Sequence, residues 1–513
     1  MISREIGWSN QNNLTFGIIK QVNKIQKEVC CNCNITTTTT SSSSTSTSTT
    51  TSTSTSTTTS TTTLPPLGVF RMTANWNLTI PPVVDEASFR TFLESGQDGD
   101  GNVNSLSNVL ISGFSITPVN ETHEEIICDL YAQGSEIYLS YLSVTDAVSF
   151  GNISPSSMYL YGNAITSVNS TVFPSSVSVL DLSDTAITSV DNVNTWPSSL
   201  YELYLNYCQL TGFSPVNALP NSLYRLYLDN NQIVTFNPVV ALPNGVYTLM
   251  LAYNLISNFN PSLPLPTGLY ELNLYGNEIV TFNPSIALPI GLKSLNLGEN
   301  QIVTFNPSIA LPSGLFFLYL NRNQIVTFDP TIPISSLVSF TLDNNQIVTF
   351  NPSIALPGNL SSLYLNANQI VTFNPSIPLP INLQQLALGE NQIVTFNPTL
   401  PLPNNLQILG LNNNQIVTFN PTIALPNNLI LLNLGANQIV TFNPSIALPN
   451  SLQTIALYNN LMTTAGYTAS EPWANAMSVI PGRGNASFSG NVNSISGTNL
   501  QTILIAKGWN VPG

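Results

Sequence analysis

Charge is what this sequence has least of. Only 7% of its 513 residues are charged, against roughly a quarter in an ordinary soluble protein. The 11 Lys and Arg face 25 Asp and Glu, for a net charge of −14. A chain so short of cations lacks the basic stripe that nucleic-acid phosphates require, so no nucleic-acid partner is expected. Histidine is reduced to His123 alone. No Ser-His-Asp set, phosphate loop or metal-ligand constellation accompanies it. The expectation is therefore a protein that is not an enzyme, with no cofactor and no metal. Long apolar runs are also missing. None reaches the 18 or so residues of a membrane span, and no apolar stretch precedes a small-residue cleavage site near Met1. Neither membrane insertion nor a secretory signal is expected. Solubility must come from Asn, Ser, Thr, Gln and Tyr.

Cysteine is scarce too, at five. Cys30, Cys31 and Cys33 crowd together ahead of a low-complexity tract. Such a cluster can bind zinc or link chains, but no second ligand cluster completes a zinc site, and loose thiols are the simpler reading. Residues 1–33 carry Leu14, Ile18, Val22, Ile25 and Val29 at helical spacing. They read as a short amphipathic attachment helix, able to form a homo-oligomer as a coiled coil. Residues 34–66 are a Thr/Ser linker, every position from Thr36 to Thr63 being Thr or Ser. With nothing to bury, the tract cannot offset its ordering entropy and reads as a disordered stalk. Residues 67–141 are expected to form an N-terminal cap. There Asp85 can N-cap a helix carrying Phe89, Phe92 and Leu93 and ended by Gly96. The stretch from Asp98 to Asn104 has the start of a calcium loop but lacks its sixth-position Gly and twelfth-position Glu, so it reads as a polar turn.

From 142 to 464 the chain repeats L-x-x-L-x-L-x-x-N-x-I-x-x-F-x-P-x-x-x-L-P. The reference asparagine falls at Asn163, is replaced by Thr185 and Cys208, then runs from Asn231 through Asn254, Asn277 and onward to Asn460. The spacing is 23, with 22 twice. This pattern resembles the leucine-rich-repeat family, whose signature is L-x-x-L-x-L-x-x-N/C-x-L. The resemblance implies a solenoid with a parallel β-sheet on its concave face. The first half of each unit is similar to bacterial effector repeats of that family. The F-N-P-S-I-A-L-P half departs from them, so no effector role carries over. After Asn460 the pattern stops, and 465–513 are expected to form a C-terminal cap in which Thr498 and Gln501 start a helix ending at Gly508.

Each constant position has a physical job. Leu226 and Leu228 are two apart and share one strand face. The asparagine should turn inward to satisfy backbone groups of adjacent turns. The phenylalanine five residues later should form a second buried column. Two prolines in most return segments forbid a helix there, leaving extended or single-turn structure and a mostly non-helical convex side.

Any ligand must then read what varies. Positions six, four and two before the asparagine should point from the concave face. Aromatic and charged choices concentrate in the N-terminal half of the array. The candidate ligand-binding residues are Glu202, Tyr204, Arg225, Tyr227, Asp229, Glu271, Phe317 and Tyr319. Tyrosine gives large rigid contact area at low entropic cost. A glycosidase-like pairing of Asp181, Glu202 and Asp229 is set aside, because Glu202 and Arg225 should pair as surface charges. The expected function is recognition of a protein or glycan, displayed on the stalk. The alternative is a structural or adhesive surface protein. Arg4 to Leu14 resembles leaders of tailed-phage virion structural proteins, which would merge the two readings and place the chain on a virion or otherwise outside a cell.

Overall fold

The computed structural model describes residues 68–512 except 81, 332, 333 and 335. The attachment helix, the Thr/Ser linker, the three clustered cysteines and the segment from Arg4 to Leu14 lie outside the described residues.

The described chain begins with an antiparallel sheet. Strand Gly68–Ala74 lies between Glu124–Gly134 and Asp146–Phe150, and Leu106–Pro118 pairs with Glu124–Gly134 from the other side. Helix α1, Glu86–Ser95, packs on this sheet. Asp85 caps it: its carboxylate accepts from the Ser88 amide, and the Ser88 hydroxyl accepts from the Asp85 amide. Trp76 is buried edge-on to Phe89 and Phe92 at 5.7 and 6.0 Å. Asp98 does act as a turn-former. Its carboxylate accepts from the backbone amides of Asp100, Asn102 and Ser140, at 3.1, 2.9 and 3.1 Å. The last of these bonds ties the Asp98 turn to the segment just after the first parallel strand, Glu136–Tyr138.

A parallel ladder then runs from Glu136–Tyr138 to Trp509–Asn510, mostly through three-residue strands. The strands are short because only two leucines per turn need to face inward. In Arg225–Tyr227 the middle Leu226 is buried, as is the following Leu228, while Arg225 and Tyr227 stay half-exposed. Most coils follow that alternation, with Ser157, Thr248, Ala387 and Ala456 buried as well where the flanking side chain is small, so the solenoid read from the repeat is the solenoid observed. Among the described residues the return segments contain no helix before residue 464. Most end instead in a single turn, such as Leu360 donating to the Pro357 carbonyl at 3.0 Å.

Two asparagine ladders hold the turns together. The inner one was expected and its geometry is now explicit. Asn368 donates to the carbonyls of Leu342, Leu365 and Asn366, and its Oδ1 accepts from the Ile347 amide at 3.0 Å. Each leucine carbonyl is shared: Leu342 also accepts from Asn345, and Leu365 from Asn391. Thr185 and Cys208 keep only part of this, both bonding to the Leu182 carbonyl. The residue before each reference position has a left-handed φ, as at Asn230 (55°) and Ala367 (51°). Except at Gly162 and Gly276, this costs up to about 1–2 kcal/mol, and it accompanies the inward turn of the asparagine.

The outer ladder explains the N-P-S half of the repeat. Asn351 Oδ1 accepts from both the amide and the hydroxyl of Ser376 in the next turn. The same bond pair recurs from Asn237 to Asn420, with Asp329 taking the asparagine's place once. Between the ladders the phenylalanines form a buried stack, most neighbours 6.0–6.3 Å apart.

The asparagine column does not stop at Asn460. Asn491 donates to the carbonyls of Leu457 and Phe488 and accepts from the Met462 amide, the same pattern one turn later. Helix α2, Thr464–Ala476, fills the intervening return, and its Trp473 closes the phenylalanine stack edge-on to Phe442 at 4.9 Å. Helix α3, Asn499–Ala506, is capped by Thr498. Gln501 reaches back to the amide of Gly497, one residue earlier than a full capping box would have it.

Candidate functional site

The strand face is built by register. Glu202 pairs with Arg225 and Tyr204 with Tyr227 on adjacent strands. The two tyrosine rings stack at 4.4 Å, within 7° of parallel. Arg225 Nη1 contacts Glu202 Oε1 at 2.5 Å, and the Tyr204 hydroxyl donates to Glu202 Oε2 at 2.7 Å. These four residues therefore form one linked cluster. Burial and the Glu202 carboxylate together push the Tyr204 phenol well up, so it stays neutral and remains a donor. The Arg225 guanidinium also lies 5.8 Å from the Tyr224 ring.

Asp229 sits at the edge of this cluster, accepting from the Ala252 amide at 2.8 Å. Burial raises its carboxyl to about 6. With Tyr227, Met250, Tyr253 and Asn206 it lines an open hollow of about 350 Å³. Glu271 stands in the column of Glu202 and Arg225, two turns beyond Arg225. Burial pushes its carboxyl up as well. Phe317 and Tyr319 lie on one strand with their rings nearly parallel, 6.5 Å apart. They are not brought to the first cluster. Met250, Asn273 and Asn296 separate Tyr319 from Tyr227, roughly 19 Å at the usual strand spacing. The structure thus places the eight candidates on one face in two groups.

The carboxylates weighed as a catalytic pair each have a local bond. Asp181 accepts from the amide and hydroxyl of Ser183, Glu202 holds Tyr204 and Arg225, and Asp229 holds the Ala252 amide.

A further aromatic column escaped the sequence reading. Tyr201, Tyr224, Tyr247 and Tyr270 stack in successive turns at 4.9, 4.8 and 4.6 Å. Lys293 comes next, its Nζ 4.8 Å from the Phe316 ring. The column lies seven positions before the reference asparagine, one residue ahead of the strand. Its signal was visible as a tyrosine in four consecutive repeats. Tyr138 and Tyr159, stacked at 4.6 Å, occupy the same column nearer the antiparallel sheet, with Asp181 between Tyr159 and Tyr204.

Asp343 shows how burial on this face bears on stability. Its carboxylate accepts from the Asn366 amide at 2.6 Å, yet burial raises it to about 7. A carboxyl whose folded value is raised binds protons more tightly in the native state. Its contribution is full below the ordinary aspartate value and is lost as pH rises through about 7. Asp343→Asn keeps an acceptor without the charge. Urea melts at pH 5 and pH 7.5 should show the variant losing less stability between the two than the parent; equal losses would refute the assignment.

No family model matches the chain, and no curated protein sequence matches it. Among solved structures it is similar to YopM from Yersinia enterocolitica, at 24% identity over 64% of this chain and 69% of that one, with a TM-score of 0.43. It is also similar to YopM of Yersinia pestis, a leucine-rich effector protein, at 23% identity over 63% and 83%, with a TM-score of 0.47. An internalin from Listeria monocytogenes gives 20% identity over 69% and 86%, with a TM-score of 0.36. By its own L-x-x-L-x-L-x-x-N turns, parallel ladder and buried asparagine column, this chain is a leucine-rich-repeat solenoid.

Proposed function

We propose that this protein is a non-enzymatic recognition protein that binds a protein or glycan through the strand face of its solenoid. The first contact region is the cluster of Glu202, Tyr204, Arg225 and Tyr227, with Asp229 and the adjoining hollow. Glu271, Phe317 and Tyr319 extend it along the face. Solenoids offer long regular surfaces of this kind for partners. The observation that carries the reading is the Tyr204–Tyr227 stack, fixed by the Glu202–Arg225 pair on a half-exposed face. Rings already held in place lose little entropy on binding. The composition of the Thr/Ser tract, every residue from Thr36 to Thr63 being Thr or Ser, suits display outside a cell or on a particle. Among the described residues no helix is long and apolar enough to cross a membrane.

The test pairs Tyr204→Ala with Tyr227→Ala in the full chain. Parent and variant are screened on the same glycan array and against the same panel of surface proteins. Ligands of the parent should bind the double variant at least tenfold more weakly, since two aromatic anchors covered by a ligand are each worth about 1–2 kcal/mol or more. Unchanged affinity for every ligand would remove this cluster as the site.

A further inference from the structure

The hollow beside the strand-face cluster has a chemistry of its own. Its volume is about 350 Å³, toward the lower end of the roughly 300–1,000 Å³ usual for ligand sites. Three tyrosines line it: Tyr227 from a strand, and Tyr207 and Tyr253 from the turns that follow strands. Tyr204 covers one face of the Tyr227 ring, so the other is turned toward the next strand and Met250. Tyr207 and Tyr253 are 59% and 50% exposed. The Tyr253 ring is held in place. It lies over Gly276, where a Cβ would come within 2.6 Å of it, and meets Tyr275 edge-on at 5.4 Å.

Asp229 is the one charged residue lining the hollow. Its Oδ1 accepts from the Ala252 amide, and none of the ion pairs among the described residues includes it. Burial, and more weakly the Glu271 carboxylate, raise its carboxyl to about 6. At pH 7.5 it is therefore ionised and uncompensated. From residue 124 to residue 292 the sole Lys or Arg is Arg225, against twelve Asp and Glu. Arg225 is already bound to Glu202.

A carboxylate walled by tyrosine rings attracts a cation in two ways. The charge does so directly, and each ring face adds the attraction of its quadrupole. An uncharged sugar would leave the carboxylate unmatched, and an acidic one would be repelled. Charge complementarity of this kind selects partners and steers their approach.

We propose that the partner recognised at this face is a protein, and that the hollow receives one of its lysine or arginine side chains, with the cation against Tyr227 and Tyr253 and Asp229 as its counter-charge. This rests on the strand-face reading above and narrows it from a protein or glycan to a protein with a basic contact.

The experiment measures binding of fluorescein-labelled peptides to the full chain at pH 7.5 and physiological salt. One peptide alternates Gly and Lys, one Gly and Arg, and a Gly and Glu peptide is the control. Asp229→Asn should keep the fold, because Asn366 stands at the same repeat position and its Oδ1 accepts from the Gly389 amide as Asp229 does from Ala252. Tyr253→Asn should keep it too, since Asn230 and Asn344 take the same left-handed φ at that position. Each variant should weaken a basic peptide by about fivefold or more. Asp329→Asn removes the same charge from the outer ladder, where asparagine is the usual residue, and should change binding by less than about twofold. Failure of both basic peptides to bind, equal weakening by Asp229→Asn and Asp329→Asn, or no effect of Tyr253→Asn would each overturn the proposal. Asp229→Asn is also run on the array and protein panel. A ligand lost in the Tyr204→Ala, Tyr227→Ala variant but held equally by Asp229→Asn, as a neutral glycan would be, overturns the basic contact and leaves the strand face standing. A ligand held by both variants removes the strand face as well.

Discussion

Asn368→Ala should destabilise the solenoid by about 2–4 kcal/mol, whereas Asn351→Ala, seventeen residues away in the same turn-to-turn scaffold, should cost under about 1 kcal/mol. The contrast arises from what each side chain leaves behind. Removing Asn351 frees the Ser376 amide and hydroxyl, both of which reach water. Removing Asn368 strips the buried Ile347 amide of its acceptor. The Leu342 and Leu365 carbonyls fare better, since Asn345 and Asn391 still donate to them. The cost is therefore concentrated in one orphaned N–H and a small void. Asn368→Thr should fall between the two, because Thr185 keeps a hydroxyl bond to the Leu182 carbonyl at an equivalent position. Urea denaturation of the three variants checks the order. If Asn351→Ala proved as costly as Asn368→Ala, the inner ladder would not be the principal polar support.

Phe373→Ala should cost about 3–5 kcal/mol, the usual range for truncating a buried phenylalanine. Phe373 is buried between Phe350 at 6.2 Å and Phe396 at 6.3 Å. Its loss should also change how the protein unfolds. A solenoid's turns contact only their neighbours, so a weak turn in the middle breaks the cooperativity of the array. Two transitions, or one with a lowered m-value, are expected where the parent shows one steep transition. A variant that lost stability but kept the parent's m-value would show that coupling survives through the leucine columns alone.

The fold was legible in the sequence because repetition removes ambiguity. A leucine pair two residues apart could belong to many strands, but the same pair every 23 residues beside an inward asparagine could not. Legibility failed where the interval changed. Asn491 makes the same bonds as its predecessors but lies 31 residues past Asn460, because α2 occupies that return. Glu136–Tyr138 joins the ladder without a reference asparagine of its own, Leu142 standing in that position and donating its amide to Asn163. The outer asparagine ladder hid inside a segment so constant that it offered no contrast to read.

For the candidate site, period-two alternation placed Glu202, Tyr204, Arg225 and Tyr227 on one face, and their mutual bonds come from that register. Alternation says nothing about distance along the stack, so Phe317 and Tyr319 were grouped with residues four turns away. Nor does it reach the tyrosines just ahead of the strands, whose stacking depends on the turn that presents them.

Under the proposed function the varied strand face binds and the repeated columns only support it. Carbene footprinting of the full chain, with and without a ligand found on the array, tests this most directly. Protection is expected at Tyr204, Arg225, Tyr227 and Met250, with no change at the exposed valines of the repeated segment, such as Val303, Val348 and Val394. Protection of those valines with an unchanged strand face would contradict it.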